Sequence, residues 1–340
     1  MSDALRRFVE DEIERGSFPS GVALVGGAEG IEAVSSGGEA DASTLFDLAS
    51  LTKVLATAPL ARLAAGAGLS WDRRVGEYLA EFKKSRFEDV RVWHLAAHVS
   101  GLPAWAPLYA SGAGAEAYRR ALGALEPEAR PGTSVVYSDL GTLVFGEILE
   151  AVLAEPFDRA FAREVARPAG SGALFGPLAD AGKAAPTELG NRYEQGLCEE
   201  RGIRFPGFRT AMIRGEVHDG NAFYRGGVAA HAGLFGTAED VWKLARPWLE
   251  SAGEFGDDRT PDLPESRGLF WQRKRGARSA IDAFPDSSIG HTGFTGTSVW
   301  LDREEGRIYV LLTNRVHPKV EPIDFNAVRR RFHEVAVDVG

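Results

Sequence analysis

Where the strand-like segments fall is the strongest constraint on this fold. Val22-Ala23-Leu24-Val25-Gly26 and Ile31-Glu32-Ala33-Val34-Ser35 flank a Gly27-Ala28-Glu29-Gly30 turn near the start of the chain. Ser298-Val299-Trp300-Leu301-Asp302 and Arg307-Ile308-Tyr309-Val310-Leu311-Leu312-Thr313-Asn314 flank a Glu304-Glu305-Gly306 turn near its end. Apolar, β-branched and aromatic runs bounded by glycine turns predict two hairpins. Between them, from about residue 60 to 168, apolar residues recur at helical spacing, and 142–153 reads as the clearest buried helix. A lone hairpin buries too little to be stable in water. The two chain ends therefore predict one shared antiparallel sheet, with the helical stretch inserted into it. We expect an α+β protein. Residues 1–60 and 225–340 form a mixed domain, its antiparallel sheet flanked by helices that include 3–15, 237–244 and 324–335. Residues 61–224 form a mostly helical domain whose Gly-, Pro- and Arg-rich part, 170–224, is expected to be long loops.

A chain of 340 residues can bury a large core, and 44% of it is hydrophobic. The net charge of -9 comes without a basic run or stripe, so nucleic acid is excluded as a partner. Cys198 is the single cysteine, so no intrachain disulfide forms. Met1-Ser2-Asp3-Ala4-Leu5-Arg6-Arg7-Phe8 lacks a signal-peptide core, and no apolar run approaches ~18 residues. The expected location is cytoplasmic, without membrane contact.

The chemistry centres on Asp47-Leu48-Ala49-Ser50-Leu51-Thr52-Lys53. Ser50 sits where an apolar helix begins, beside amide groups that have no intrahelical partner and at the positive end of the dipole. Lys53, three residues on, lies on the same helical face. A buried lysine beside a serine can activate the hydroxyl as a nucleophile. The bland reading makes Ser50 a helix cap and Lys53 a solvated charge. A second segment, Tyr137-Ser138-Asp139-Leu140-Gly141, follows a Pro131-Gly132 turn and precedes the predicted buried helix. A tyrosine beside a lysine can have its pKa drawn down from ~10, and the phenolate is a competent general base. Otherwise Tyr137 only packs, and Ser138 or Asp139 caps the helix. A third, Gly290-His291-Thr292-Gly293-Phe294-Thr295-Gly296-Thr297, precedes a strong strand, and its small residues allow close approach to a ligand.

In this order the three segments resemble the Ser-x-x-Lys, Tyr-x-Asn and Lys-Thr-Gly motifs of the serine β-lactamase and penicillin-binding protein superfamily. The tyrosine points to its class C β-lactamase-like branch, which includes esterases and D-amino-acid-specific peptidases. The stretches Trp93 to Pro103, Gly226 to Phe235 and Leu312 to Pro318 are similar to that branch as well. The resemblance implies a β-lactamase/transpeptidase-like fold with the active site between the two domains. It implies a Ser50 acyl-enzyme, activation by Lys53, proton transfer through Tyr137, and an oxyanion hole from the backbone N–H groups of Ser50 and Phe294. It also places His291, Thr292 and Gly293 with Asp139 at the substrate. Two positions depart from the pattern. Asp139 replaces an asparagine that contacts a substrate amide, and the carboxylate favours a protonated Lys53. His291 replaces a lysine that helps bind the substrate carboxylate, and both changes weaken the case for a good β-lactamase.

Among the remaining candidates, His231 in its Gly-rich loop is a candidate for lining the cleft, and Trp105 and Tyr109 either wall an apolar acyl site or serve in aromatic packing. His218-Asp219-Gly220-Asn221 reads as a turn. His94 and His98 lie four apart, but Leu95 follows His94, so the His-Glu-x-x-His zinc pattern is absent. Packing or backbone hydrogen bonding is their expected role. The expectation is a serine hydrolase without metal or cofactor, acting on a small ester, amide or muropeptide, with esterase or peptidase activity ranked above β-lactamase. The alternatives are a weak β-lactamase and a catalytically silent penicillin- or peptide-binding protein on the same fold. The acyl group, the leaving group and the oligomeric state stay open.

Overall fold

In a computed structural model, which describes residues 2–112 and 114–339, the chain ends share a six-stranded antiparallel sheet. Its order is β2 (Ile31–Gly37), β1 (Gly21–Gly27), β9 (Arg307–Thr313), β8 (Ser298–Asp302), β7 (Ile289–Thr292) and β6 (Gln272–Arg273). The first and last long strands pair directly, Leu24 opposite Val310 and Gly21 opposite Thr313. Side chains alternate across a strand, and here both faces are covered. Val22, Leu24, Val299, Leu301, Ile308, Val310 and Leu312 point into the main core, toward the helical body. Ala23, Val25, Trp300, Tyr309 and Leu311 point the other way, into a second core closed by the helices Ser2–Glu14 and Phe325–Ala336. Burial on both faces explains why these strands read as continuous apolar runs. Each large side chain taken out of water there contributes about 1.5–3 kcal/mol.

The helical body is built on Asp139–Leu153, buried from Leu140 to Leu149. This helix starts three residues earlier than its apolar run, because Ser138 caps it by accepting the Gly141 N–H at 2.9 Å. At Gly146 an added Cβ would lie 2.7 Å from the Ala230 Cβ, so the helix is pressed onto the loop that carries His231.

One expectation is corrected here. The 170–224 stretch is not all loop: it holds strand β4 (Leu174–Phe175) and the helices Arg192–Glu200 and Gly220–Phe223. The first helix buries little besides Glu194 and Cys198, a face too polar for hydrophobic periodicity to reveal. Strand β4 belongs to a second, three-stranded sheet in the order β3 (Phe46–Asp47), β5 (Leu234–Gly236), β4. These strands of two or three residues are fixed by long-range pairing, Asp47 opposite Phe235 and Leu174 opposite Phe235. Strand β3 runs straight into the Ser50 turn.

Among the described residues, no helix is long and apolar enough to cross a membrane.

Candidate active site

The turn before Ser50 is held from every side. Ala49 adopts a left-handed conformation, φ 47°, which is unfavourable for a residue with a Cβ. Asp47 stabilises it by accepting the Ala49 N–H at 2.9 Å, and its other oxygen accepts the His218 N–H at 2.7 Å. The Thr295 hydroxyl donates to the Asp47 carbonyl at 2.7 Å and that of Thr297 to the Leu48 carbonyl at 3.0 Å. Gly293 allows this docking, since a Cβ there would lie 2.8 Å from the Leu48 carbonyl oxygen. The end of β7 is thus fastened to the Ser50 turn. Among the described residues, neither the Ser50 nor the Phe294 N–H has a hydrogen-bond acceptor, and both residues line a cleft of about 420 Å³.

After Ser50 the first turns are widened: the Ala58 N–H reaches back five residues to the Lys53 carbonyl. Such π turns recur at functional sites. Lys53 is fully buried, and its ammonium makes three contacts: Ser50 Oγ at 2.8 Å, Asp139 Oδ1 at 2.7 Å and the His231 carbonyl at 3.1 Å. Burial works to lower the Lys53 pKa, but Asp139 and then Tyr137 outweigh it and hold it above the ordinary lysine value. Three acceptors for three N–H donors fit a protonated lysine.

Tyr137 does not fit the phenolate expectation. Its hydroxyl is buried beside Lys53 and Ser50 without a well-aligned hydrogen bond. Burial raises its pKa by more than Lys53 lowers it, so the resting residue is a neutral phenol. Its ring packs against His98, with centroids 4.6 Å apart, and against His291, at 5.7 Å. Both imidazoles are neutral: burial, then nearby cations (Arg267 and Lys53), push their pKa values well below the histidine norm. His291 Nδ1 is 2.9 Å from the Thr292 carbonyl, and its Nε2 is buried without a partner.

Positive charge reaches the His291 end of the cleft from three arginines. Arg267, Arg315 and Arg329 line the same cleft. Arg329 donates to the Gly293 and Thr297 carbonyls at 2.8 and 3.2 Å, and Arg315 to the Phe294 carbonyl at 2.8 Å. Among the described residues neither forms an ion pair, whereas Arg267 pairs with Glu265. Burial, then Arg315, bring the Arg329 pKa down to about 9, as expected for buried cations lacking a counter-ion. Sequence reasoning did not place them at the site, although Arg315 lies within the Leu312 to Pro318 stretch.

The structure brings Ser50, Tyr137, Asp139, His231, His291, Thr292, Gly293, Phe294 and Trp105 to this one cleft, with Lys53 beneath. His231 supplies its carbonyl to Lys53, while its ring Nε2 lies 2.9 Å from Asp219. Tyr109 does not wall the cleft. It is buried in an aromatic cluster with Phe205, Phe208 and Tyr224, and its hydroxyl donates to Glu194 at 2.8 Å. His218 and Asp219, expected in a plain turn, line the cleft with Glu194. His94 and His98 each accept a backbone N–H, from Arg91 and Ser138.

A half-buried serine hydrogen-bonded to a buried lysine thus stands at the head of a helix, between an antiparallel sheet and a helical body. The chain belongs to the beta-lactamase family, whose model matches residues 5–331. It is 33% identical over 318 residues to an Escherichia coli (strain K12) protein named "Putative D-alanyl-D-alanine carboxypeptidase", covering 83% of this chain and 71% of the relative. It is 31% identical over 326 residues to the N-acetylmuramyl-L-alanine amidase of Bacillus subtilis (strain 168), covering 86% and 73%. Among solved structures it resembles EstCE1, a hydrolase with promiscuous acyltransferase activity, with a TM-score of 0.74 at 19% identity, covering 98% of this chain and 97% of that one. A class C beta-lactamase matches with a TM-score of 0.73 at 18% identity, covering 98% and 95%. This protein is a serine hydrolase of that family.

Proposed function

We propose that this hydrolase cleaves an amide or ester bond in a small peptide- or muropeptide-like substrate through an acyl-enzyme on Ser50. The observation that carries the reading is Lys53, whose Nζ lies 2.8 Å from the Ser50 hydroxyl and 2.7 Å from Asp139. With Lys53 and Tyr137 both protonated at rest, Asp139 is the available proton acceptor. Lys53 hands a proton to Asp139 and takes one from Ser50 as Oγ attacks the carbonyl carbon. The oxyanion is met by the N–H groups of Ser50 and Phe294. On collapse the C–N or C–O bond breaks, and the leaving atom takes the Tyr137 hydroxyl proton. Lys53 restores that proton and recovers its own from Asp139. Water then repeats the sequence in reverse and frees Ser50.

The uncompensated Arg315 and Arg329 favour a substrate with a free carboxylate on its leaving half. The relatives' names, a carboxypeptidase and a muramyl-alanine amidase, agree with that chemistry. A β-lactam carries such a carboxylate too, so a cephalosporin belongs in the same screen. The test is labelling with a fluorophosphonate probe, followed by mass spectrometry. The expected adduct is on Ser50, lost in Ser50→Ala. An adduct on another serine, or undiminished labelling of the variant, would overturn the assignment. An activity screen of D-Ala peptides, muropeptides, short esters and a cephalosporin then ranks the substrates.

A further inference from the structure

The same cleft has a second, oppositely charged region that the acyl-transfer chemistry leaves unused. Glu194, on the helix Arg192–Glu200, and Asp219, at the head of Gly220–Phe223, both line it. Asp219 uses a single oxygen, Oδ1, to accept the Ala222 N–H at 2.7 Å and to meet His231 Nε2 at 2.9 Å. Its Oδ2 has no protein partner among the described residues, and its side chain keeps 19% exposure. Glu194 is almost wholly buried, holds the Gly220 N–H at 2.7 Å and the Tyr109 hydroxyl at 2.8 Å, and among the described residues has no ion pair. The nearby cation, Arg209, is committed to the Val217 and His218 carbonyls and to Asn191.

A second, independent feature is a pair of cleft-lining imidazoles with orphan nitrogens. His218 is 5% exposed. It engages Glu188 through Nε2 at 3.0 Å, and its Nδ1 has no protein partner among the described residues. If the Nε2–H faces the Glu188 carboxylate, Nδ1 is left as an acceptor. His231 is 1% exposed and its Nδ1 is buried without a partner. Buried polar groups normally find partners, so the buried orphan His231 Nδ1, with the open acceptors His218 Nδ1 and Asp219 Oδ2 nearby, marks a place for a donor-rich cationic ligand.

We infer that this region is an ammonium subsite: Asp219 Oδ2 and His218 Nδ1 receive the N–H donors of a positively charged amine on the acyl half of the substrate, with Glu194 adding negative charge behind them. The inference rests on the Ser50 acyl-enzyme reading and on the guanidiniums taking the leaving half. The substrate class becomes a dipolar, peptide-like molecule, amine on one side of the scissile bond and carboxylate on the other. Burial first, then the Asp219 charge, lift the Glu194 pKa to about 7, which a bound cation would reverse.

The test uses two series of p-nitrophenyl esters of equal length, ω-aminoacyl and plain alkanoyl, spanning acyl chains of two to six carbons. The readout is the ratio of kcat/KM between each matched pair. At one or more lengths the aminoacyl ester should be preferred by about ten-fold, the scale of one charge-assisted contact. Glu194→Gln, which keeps an acceptor for the Gly220 N–H, and Asp219→Asn should each pull the ratio toward one. Thermal melting establishes that each variant is folded. A wild-type ratio at or below one at every length, or a preference that survives both substitutions, would overturn the subsite while leaving the hydrolase reading intact. Absence of Ser50-dependent turnover in both series would overturn the two together.

Discussion

Arg267, Arg315 and Arg329 bring guanidinium charge to the β7 side of the cleft, whereas Glu188, Glu194 and Asp219 bring carboxylates to the side built from residues 188–231. The β7 side is fastened to the Ser50 turn by the Asp47 and Leu48 carbonyls, which accept from Thr295 and Thr297, and to the C-terminal helix by the Gly293 carbonyl, which accepts from Arg329. Burial and nearby cations keep its imidazole, His291, neutral. The carboxylate side hangs on side-chain pairs, His218 with Glu188 and His231 with Asp219, and one of its acids, Glu194, has its pKa near 7. The first side is held by short main-chain contacts, and the second carries an acid whose charge changes near neutral pH.

The largest effect that sharpens this contrast falls on the proton path. Lys53→Ala should lower kcat by about 10²–10⁴, the scale of positioned proton transfer. If Asp139 is the proton acceptor, Asp139→Asn should lower kcat comparably, and the double variant should be far from additive. An Asp139→Asn enzyme with wild-type kcat across the pH profile would break the relay and return the base role to Tyr137.

Next comes rigidity. In Gly293→Ala the new Cβ would overlap Thr297 Oγ1 and press on the Leu48 carbonyl at 2.8 Å, the two ends of one bond that fastens the Ser50 turn, so that bond and the turn have to shift. The expected outcome is a folded protein with kcat lowered about 10²-fold, since a displacement near 1 Å can cost that much. Unchanged kinetics would mean that β7 tolerates slack.

Smaller, and selective, is the effect of the guanidiniums. Arg329→Gln and Arg315→Gln should each raise KM for substrates with a free carboxylate by roughly ten-fold relative to their amides. An equal change for both substrate types would assign these arginines to structure alone.

The smallest effect concerns pH. Glu194 titrates from 4.5 to about 7 on folding, with Asp219, His218, Tyr109, Cys198 and Arg209 around it. Because the folded carboxyl binds its proton more tightly than the unfolded one, this group favours the folded state at low pH, and the gain is lost as pH rises from about 4.5 through 7. The Tm should fall across that window less steeply in Glu194→Gln than in wild type. Parallel curves would show that Glu194 is not the titrating group.

Much of the first side was legible in the sequence because its signals are local. Ser50 and Lys53 are one helical turn apart, and His291-Thr292-Gly293 leads into an apolar strand. The hairpins at the chain ends were equally plain, because burial on both faces of the sheet leaves uninterrupted runs such as Tyr309-Val310-Leu311-Leu312. The outer helices and the Thr237 cap, whose hydroxyl accepts the Asp240 N–H, follow from short-range periodicity and hydrogen bonding. Tertiary structure alone decided the rest. The protonation of Tyr137 depends on its burial, which outweighs the neighbouring Lys53. Arg315 and Arg329 meet the cleft through the folded sheet and the C-terminal helix. His218 reaches Glu188 across 30 residues, and its N–H reaches Asp47 across 171. Such pairs leave no periodic trace, because hydrogen-bond geometry and desolvation act between groups that only the completed chain brings within 3 Å of each other.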